Sequence, residues 1–196
     1  MKTSKLIALA GLVLCLPACV PSLNPFYTDK DLVFDPRLVG TWAEKGKDQE
    51  PQTWKLEKAG DNAYTLTITE KPGKEGEFNV HLFKLKQEYF LDLLPNECNY
   101  ATNQADLIGV SMFPGHLLAR VSQVEPELKL AFFNFDWLNQ QLTNNPSLLA
   151  HHREGDRFIL TASTRDLQRF VLKHLAEGEL FDKLGEMVRQ TKPAAR

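Results

Sequence analysis

Tyr64-Thr65-Leu66-Thr67-Ile68-Thr69 places a large apolar side chain at every second position and a threonine between each pair. Successive side chains of an extended backbone point to opposite faces, so this stretch reads as a strand with one buried face and one wet face. The same period spreads outward in both directions. Upstream, Leu38, Gly40 and Trp42 share one parity, and Trp54 and Leu56 alternate with Lys55 and Glu57. Downstream it recurs at Phe78, Val80 and Leu82, at Tyr89, Leu91 and Leu93, at Leu117, Ala119 and Val121, and at Leu128, Leu130 and Phe132. Turn-forming residues separate the runs: Gly60-Asp61-Asn62, Pro72-Gly73 with Gly76, Lys86-Gln87 and Glu125-Pro126-Glu127. Short strands joined by tight turns pair antiparallel.

Residues 95–115 interrupt the pattern with Asn96, Asn99, Asn103, Pro114 and Gly115. A connection that long is expected to be either a lid or a locally folded excursion. Asp136 to Thr143 reads as a helix with Trp137, Leu138 and Leu142 on one face, and Asn145-Pro146 as the start of another helical turn. Glu154-Gly155-Asp156 turns the chain into an expected last strand holding Phe158, Leu160 and Ala162. Ser163 and Asp166 then have the spacing of a capping box, ahead of a stripe made by Leu167, Phe170, Val171 and Leu175. Leu180, Phe181, Leu184 and Val188 suggest a second C-terminal helix. The expected fold class is mainly β with C-terminal helices: an antiparallel barrel or strongly curved sheet of about eight strands, lipocalin-like in shape.

Gly40-Thr41-Trp42, opening the first strand, resembles the G-x-W signature of the lipocalin and wider calycin barrels. The resemblance implies that Trp42 closes the barrel floor and that an arginine of the last strand packs over it. Arg157 is the arginine that enters the expected last strand. The plainer reading makes Trp42 a large aromatic plug at the end of any β core. A barrel of this size either fills its interior with its own side chains or holds one small ligand.

The first 18 residues carry Lys2 and Lys5, then an apolar run from Leu6 to Leu16 that is too short to span a bilayer. These features match a secretory leader. Leu16-Pro17-Ala18-Cys19 resembles the lipobox of bacterial lipoprotein precursors. That resemblance implies cleavage before Cys19, diacylglycerol on its sulfur and a further acyl chain on its new amino group. Val20, rather than aspartate, follows the cysteine, which by the same resemblance favours the outer membrane in an organism with two membranes. The expected organisation is a signal peptide at 1–18, a lipid-anchored tether at 19–36, one β-rich domain with C-terminal helices at 37–190, and a frayed tail at 191–196. Pro21, Pro25 and Pro36 argue for the tether, with Phe26 and Tyr27 either touching the headgroup layer or packing on the domain.

Removing residues 1–18 shifts the formal net charge from −2 to −4. A mildly acidic chain without a basic run has no electrostatic footprint for nucleic acid. Once Cys15 leaves with the leader and Cys19 is acylated, Cys98 is alone and forms no internal disulfide. Ser111 lacks a nucleophile elbow's flanking glycines, and no residue places a base beside Cys98. His81, His116, His151, His152 and His174 show no metal-ligand spacing, so no metal or other cofactor is expected. Phe132, Phe133, Phe135 and Trp137 form an aromatic cluster suited to core packing, or else to a pocket or partner surface.

Two functions follow as expectations for a non-enzymatic, cell-envelope protein held to the membrane by its lipid. In the first, a small hydrophobic or amphipathic ligand binds inside the curved sheet, with Trp42, Trp54, Tyr64 and Phe132 as candidate contacts. In the second, a solid core scaffolds a surface that docks an envelope protein.

Overall fold

The computed structural model describes residues 20–46, 51–96 and 114–190. Eight of its strands close into an antiparallel barrel, lipocalin-like in shape. The barrel strands are β1 (Gly40–Glu44), β2 (Thr53–Lys58), β3 (Tyr64–Lys71), β4 (Lys74–Leu85), β5 (Glu88–Pro95), β6 (Leu117–Gln123), β7 (Glu127–Phe132) and β10 (Gly185–Arg189). Between β7 and β10 the chain makes an excursion through helix α1 (Phe135–Asn144), the hairpin β8 (His151–Glu154) and β9 (Arg157–Leu160), and helix α2 (Thr164–His174). Around the barrel the order is β1, β10, β7, β6, β5, β4, β3, β2, and β2 returns to β1.

The registers carry the sequence parity into three dimensions. Leu56 pairs with Leu66, Leu66 with Phe78, Val80 with Leu93, Leu91 with Ala119, and Val121 with Leu130. Every member of that series points inward, and with Leu38, Trp42, Trp54 and Tyr64 they form one apolar cluster inside the barrel. A one-residue slip anywhere would turn this set outward, so the burial itself pins the register.

A second core lies outside the barrel. Phe83, Leu85, Phe90 and Leu118 belong to the outward parity of β4, β5 and β6, and the excursion covers them. Asn134 starts α1 by accepting the Trp137 amide at 3.0 Å, and Ser163 caps α2 by accepting from the Asp166 amide. Leu138 and Leu142 of α1, and Leu167, Phe170 and Val171 of α2, then face this second core. Phe133 and Trp137 pack there too, so the aromatic cluster is core at its inner members.

Four expectations change. The stretch from Leu180 to Val188 does not form a second helix: Gly185–Arg189 closes the barrel between β7 and β1, where alternate residues such as Met187 can reach the interior. Phe158 and Leu160 belong to the hairpin rather than to the last barrel strand, because their face packs on the second core. Asn145-Pro146 opens a turn, not a helix. Residues 20–36 are no tether. They run down the outside of the barrel, with Val20, Ser22 and Phe26 buried.

That descent has a defined path. Ser22 exchanges backbone hydrogen bonds with His116, and Leu160 donates to the Pro21 carbonyl. Further along, Val33 donates to Leu82, and a short 3-10 turn at Pro36–Leu38 crosses beneath the barrel into β1. The segment therefore enters at the end where β6 begins and leaves at the end where β1 begins. Residues 97–113, which hold most of the expected lid together with Cys98 and Ser111, lie outside the described residues, as do 1–19 and 191–196.

Candidate functional site

The two ends of the barrel differ in chemistry. At the floor, Trp42 is fully buried and its indole Nε1 donates to the Leu38 carbonyl at 2.9 Å. The guanidinium carbon of Arg189 lies 4.2 Å from the indole ring centroid, a cation–π contact. Arg189 also donates from Nη1 to the Val39 carbonyl at 2.8 Å and from Nη2 to the Arg37 carbonyl. Arg157 was the expected partner of Trp42. It stands instead in the hairpin, and Arg189 takes the position because β10 is the strand that pairs with β1.

Gly40 makes that arrangement possible. Its φ is +141°, and a Cβ there would sit 2.4 Å from Arg189 Nη1. Only glycine combines the backbone angle with the close approach. The G-x-W pattern thus has a local physical cause: glycine for the passing arginine, tryptophan for the plug.

Tyr64 completes the floor. Its hydroxyl accepts from the Asp35 amide at 2.7 Å and donates to the Asp35 carbonyl at 3.1 Å. Phe34 stacks on the Tyr64 ring at 4.9 Å between centroids. Both polar atoms of these two candidate residues are spent on the backbone beneath the barrel, so Trp42 and Tyr64 are fixed at the floor.

At the mouth, Trp54 and Phe132 approach each other edge to face across the interior, with centroids 6.3 Å apart. Phe78 and Leu117 share their inward parity, and like Phe132 they are only partly buried. Of the four candidate contacts, Trp54 and Phe132 therefore touch each other, while Trp42, the register partner of Trp54, turns its indole with the Tyr64 hydroxyl to the backbone at the floor.

A polar cluster that the sequence did not single out sits on the barrel's outer wall under the N-terminal segment. Asp92 is completely buried. Its carboxylate accepts from the Phe26 amide at 2.9 Å and lies 2.6 Å from His116 Nδ1. Across the strand pair from Asp92 is His81, whose Nδ1 is 3.1 Å from the Tyr27 hydroxyl, with the two rings 4.7 Å apart. Burial holds the His81 imidazole below its ordinary value, since charging it would strip water from an ion. An Asp–His pair can orient a general base, but Ser22, the buried hydroxyl on the adjoining segment, donates to the Asn24 carbonyl. The cluster holds two chain segments together. Nothing in the period-two pattern could have shown this, because Asp92 sits at a position that alternation marks as outward and wet.

Burial also raises two phenols, Tyr27 and Tyr64, from 10 to about 12. The folded protein keeps those protons while the unfolded chain gives them up. The stabilisation is thus present in full below pH 10 and is lost as pH climbs to about 12. A phenolate absorbance titration should show two groups ionising near pH 12, and Tyr27→Phe and Tyr64→Phe should each remove one.

The remaining histidines are dispersed. His151 Nδ1 donates to the Leu149 carbonyl at 2.8 Å, His152 is exposed, and His174 Nδ1 lies 2.9 Å from Glu177. Among the described residues, no three metal-ligating side chains converge. Two recesses lie outside the barrel interior's mouth. One, of about 300 Å³, runs along α2 between Leu148, Leu149 and Phe170, with Asp166, Arg169 and Lys173 on its edge. The other, about 190 Å³, opens at the floor between Arg37, Tyr89 and Val124 and reaches the inward-facing Leu82 and Val121.

Comparison with known protein families, with curated proteins and with solved structures finds no match for this chain.

Proposed function

We propose that this protein is a lipid-anchored, non-enzymatic binding protein of the bacterial cell envelope, which holds a small hydrophobic or amphipathic ligand in the mouth half of its barrel. The observation that carries this reading is the asymmetry of the interior. Trp42, Tyr64 and Arg189 are fixed by hydrogen bonds and a cation–π contact at the floor, beside a recess of about 190 Å³, whereas Phe78, Leu117 and Phe132 present partly uncovered apolar surface at the other end. Apolar surface left at a barrel mouth is where a ligand gains most from leaving water, at about 25 cal/mol per Å². Trp54, buried and edge to face with Phe132, adjoins that surface.

A titration tests it. Trp54 emission should transfer to a bound polyene fatty acid, and titration calorimetry should find binding weakened by about tenfold in Phe132→Ala with Trp54→Phe, the scale of one lost apolar contact of ~1.4 kcal/mol. Unchanged affinity in that double variant would place the ligand elsewhere. The anchor is tested separately. Cys19→Ala should move the protein from the membrane fraction to the soluble fraction, since two or more acyl chains are what make attachment stable.

The second reading, docking of an envelope protein, is favoured by the recess along α2, where Arg169 and Lys173 flank apolar Leu149 and Phe170. An acidic, apolar segment of a partner would fit that edge. Arg169→Glu with Lys173→Glu should abolish such a complex and leave fatty-acid binding intact.

A further inference from the structure

The chain leaves no slack between the proposed acylation point and the folded body. Val20 is 3 % exposed and Ser22 is fully buried. Ser22 is tied by backbone hydrogen bonds to His116 on one side, and its neighbours Pro21 and Leu23 to Leu160 on the other. Gly115 is so close to this segment that a Cβ on it would come within 2.7 Å of Pro21. One peptide unit, a reach of about 3.8 Å, separates residue 19 from Val20. A lipid attached there cannot be held away from the domain.

The point of attachment also lies at a definite end. His116 immediately precedes Leu117, the mouth-end residue of β6, whose partner Leu93 is near the mouth end of β5. Among the described residues the exposed large hydrophobics are Leu23, Tyr89 and Leu184. Leu23, 40 % exposed, adjoins the attachment point, and Leu184, 45 % exposed, precedes Gly185 where β10 starts at the mouth. Tyr89 is at the opposite end, where Lys84 covers its ring. Two apolar side chains thus face out beside the mouth, at the same end as Val20 and Ser22.

From these placements we infer that the protein stands mouth-down on the bilayer, with Leu23 and Leu184 in the headgroup layer, and that the barrel exchanges its ligand directly with the membrane. This rests on the acylation of Cys19 and deepens the binding reading: the ligand class is an acyl-chain amphiphile of the bilayer rather than a solute from the aqueous phase. A tether would have allowed any orientation. The buried Val20 and Ser22 permit a narrow range of them.

The test uses the full-length acylated protein carrying Cys98→Ala, with a fluorescent label at Leu23→Cys, Leu184→Cys or, in the β2–β3 turn at the floor, Asn62→Cys. Each is bound to phosphatidylethanolamine–phosphatidylglycerol vesicles containing a lipid quenched at headgroup depth. Side chains at that boundary lie within ~5–10 Å of it, so emission from 23 and 184 should fall by about half or more and emission from 62 should not. A flexible insertion of about 20 Gly/Ser residues between Cys19 and Val20, reaching roughly 25 Å, should keep the protein on vesicles and abolish the quenching. Equal quenching at all three positions, or at none, in vesicle-bound acylated protein overturns the orientation and leaves the anchor standing. Quenching that survives the insertion overturns the role of the short connection. An unacylated residue 19, read by mass, overturns the anchor and the orientation together.

Discussion

Trp42→Ala is expected to lower the unfolding free energy by about 3–5 kcal/mol, the range for removing a large aromatic from a packed core. Three losses coincide at that site. The floor loses its plug, the Leu38 carbonyl loses the indole proton, and the Arg189 guanidinium loses the ring it lies against. Arg189 itself would keep its bonds to the Val39 and Arg37 carbonyls, so the strand pairing of β1 with β10 should survive in whatever fraction folds. Denaturant titration of Trp42→Ala and Arg189→Met separates the terms. The arginine variant should cost more than the ~1–2 kcal/mol of a desolvated cation–π contact, because the Val39 and Arg37 carbonyls also lose a donor, at about 1 kcal/mol each. If Trp42→Ala unfolds at the same denaturant concentration as the parent protein, the floor is not what closes this barrel.

Asp92→Ala should cost a comparable amount, about 3–5 kcal/mol, because it breaks the buried Asp92–His116 pair and removes the acceptor that two donors share. The Phe26 amide and His116 Nδ1 would both lose their acceptor in a place water does not reach. Asp92→Asn should cost less, about 1–3 kcal/mol, since its one carbonyl oxygen can still accept from one of the two donors. The effect should be local as well as global. Amide exchange at Phe26 and at Ser22 should accelerate before that of the barrel strands, because the N-terminal segment is held to the outer wall through this carboxylate. Equal exchange rates in the parent and in Asp92→Asn would show that the apolar contacts of Val20 and Phe26 suffice to hold it.

How much of this could be read from residue order depends on whether a feature is local. Strands β2 to β7 were legible because half-burial writes a period of two into the chain, and Tyr64 to Thr69 shows it without exception. Helix α1 was legible from its apolar face, and α2 from its cap and its stripe. Strand β10 was not. Gly185-Glu186-Met187-Val188-Arg189 is short, and its neighbours Leu180, Phe181 and Leu184 sit at spacings that also suit a helix. Its true partners, β7 and β1, are more than 50 and 140 residues distant in the chain. Misplacing that strand is also what misplaced the arginine: Arg157 enters the last strand by sequence position, and Arg189 occupies it by pairing.

The N-terminal segment failed for a different reason. Pro21, Pro25 and Pro36 do forbid regular structure, and none forms over most of that stretch, but irregular backbone can still be buried when its polar groups find partners. Here the partners are His116, Leu160 and Asp92, all of them distant in sequence. For the site, Trp54 and Phe132 were named among the candidates on aromatic character alone. Their contact across three strand pairings, and the hydrogen bonds that fix Trp42 and Tyr64 at the floor, needed the closed barrel.

The account rests on one picture, an acylated barrel that takes an apolar molecule from the membrane it sits on. Native mass spectrometry of the protein extracted gently from cell membranes addresses it in a single spectrum. The account predicts a chain that begins at Cys19, carries covalent acyl groups there, and retains a noncovalent adduct of lipid mass that is lost when Trp54 and Phe132 are replaced. A chain that begins at Met1, without acyl groups and without an adduct, would contradict it.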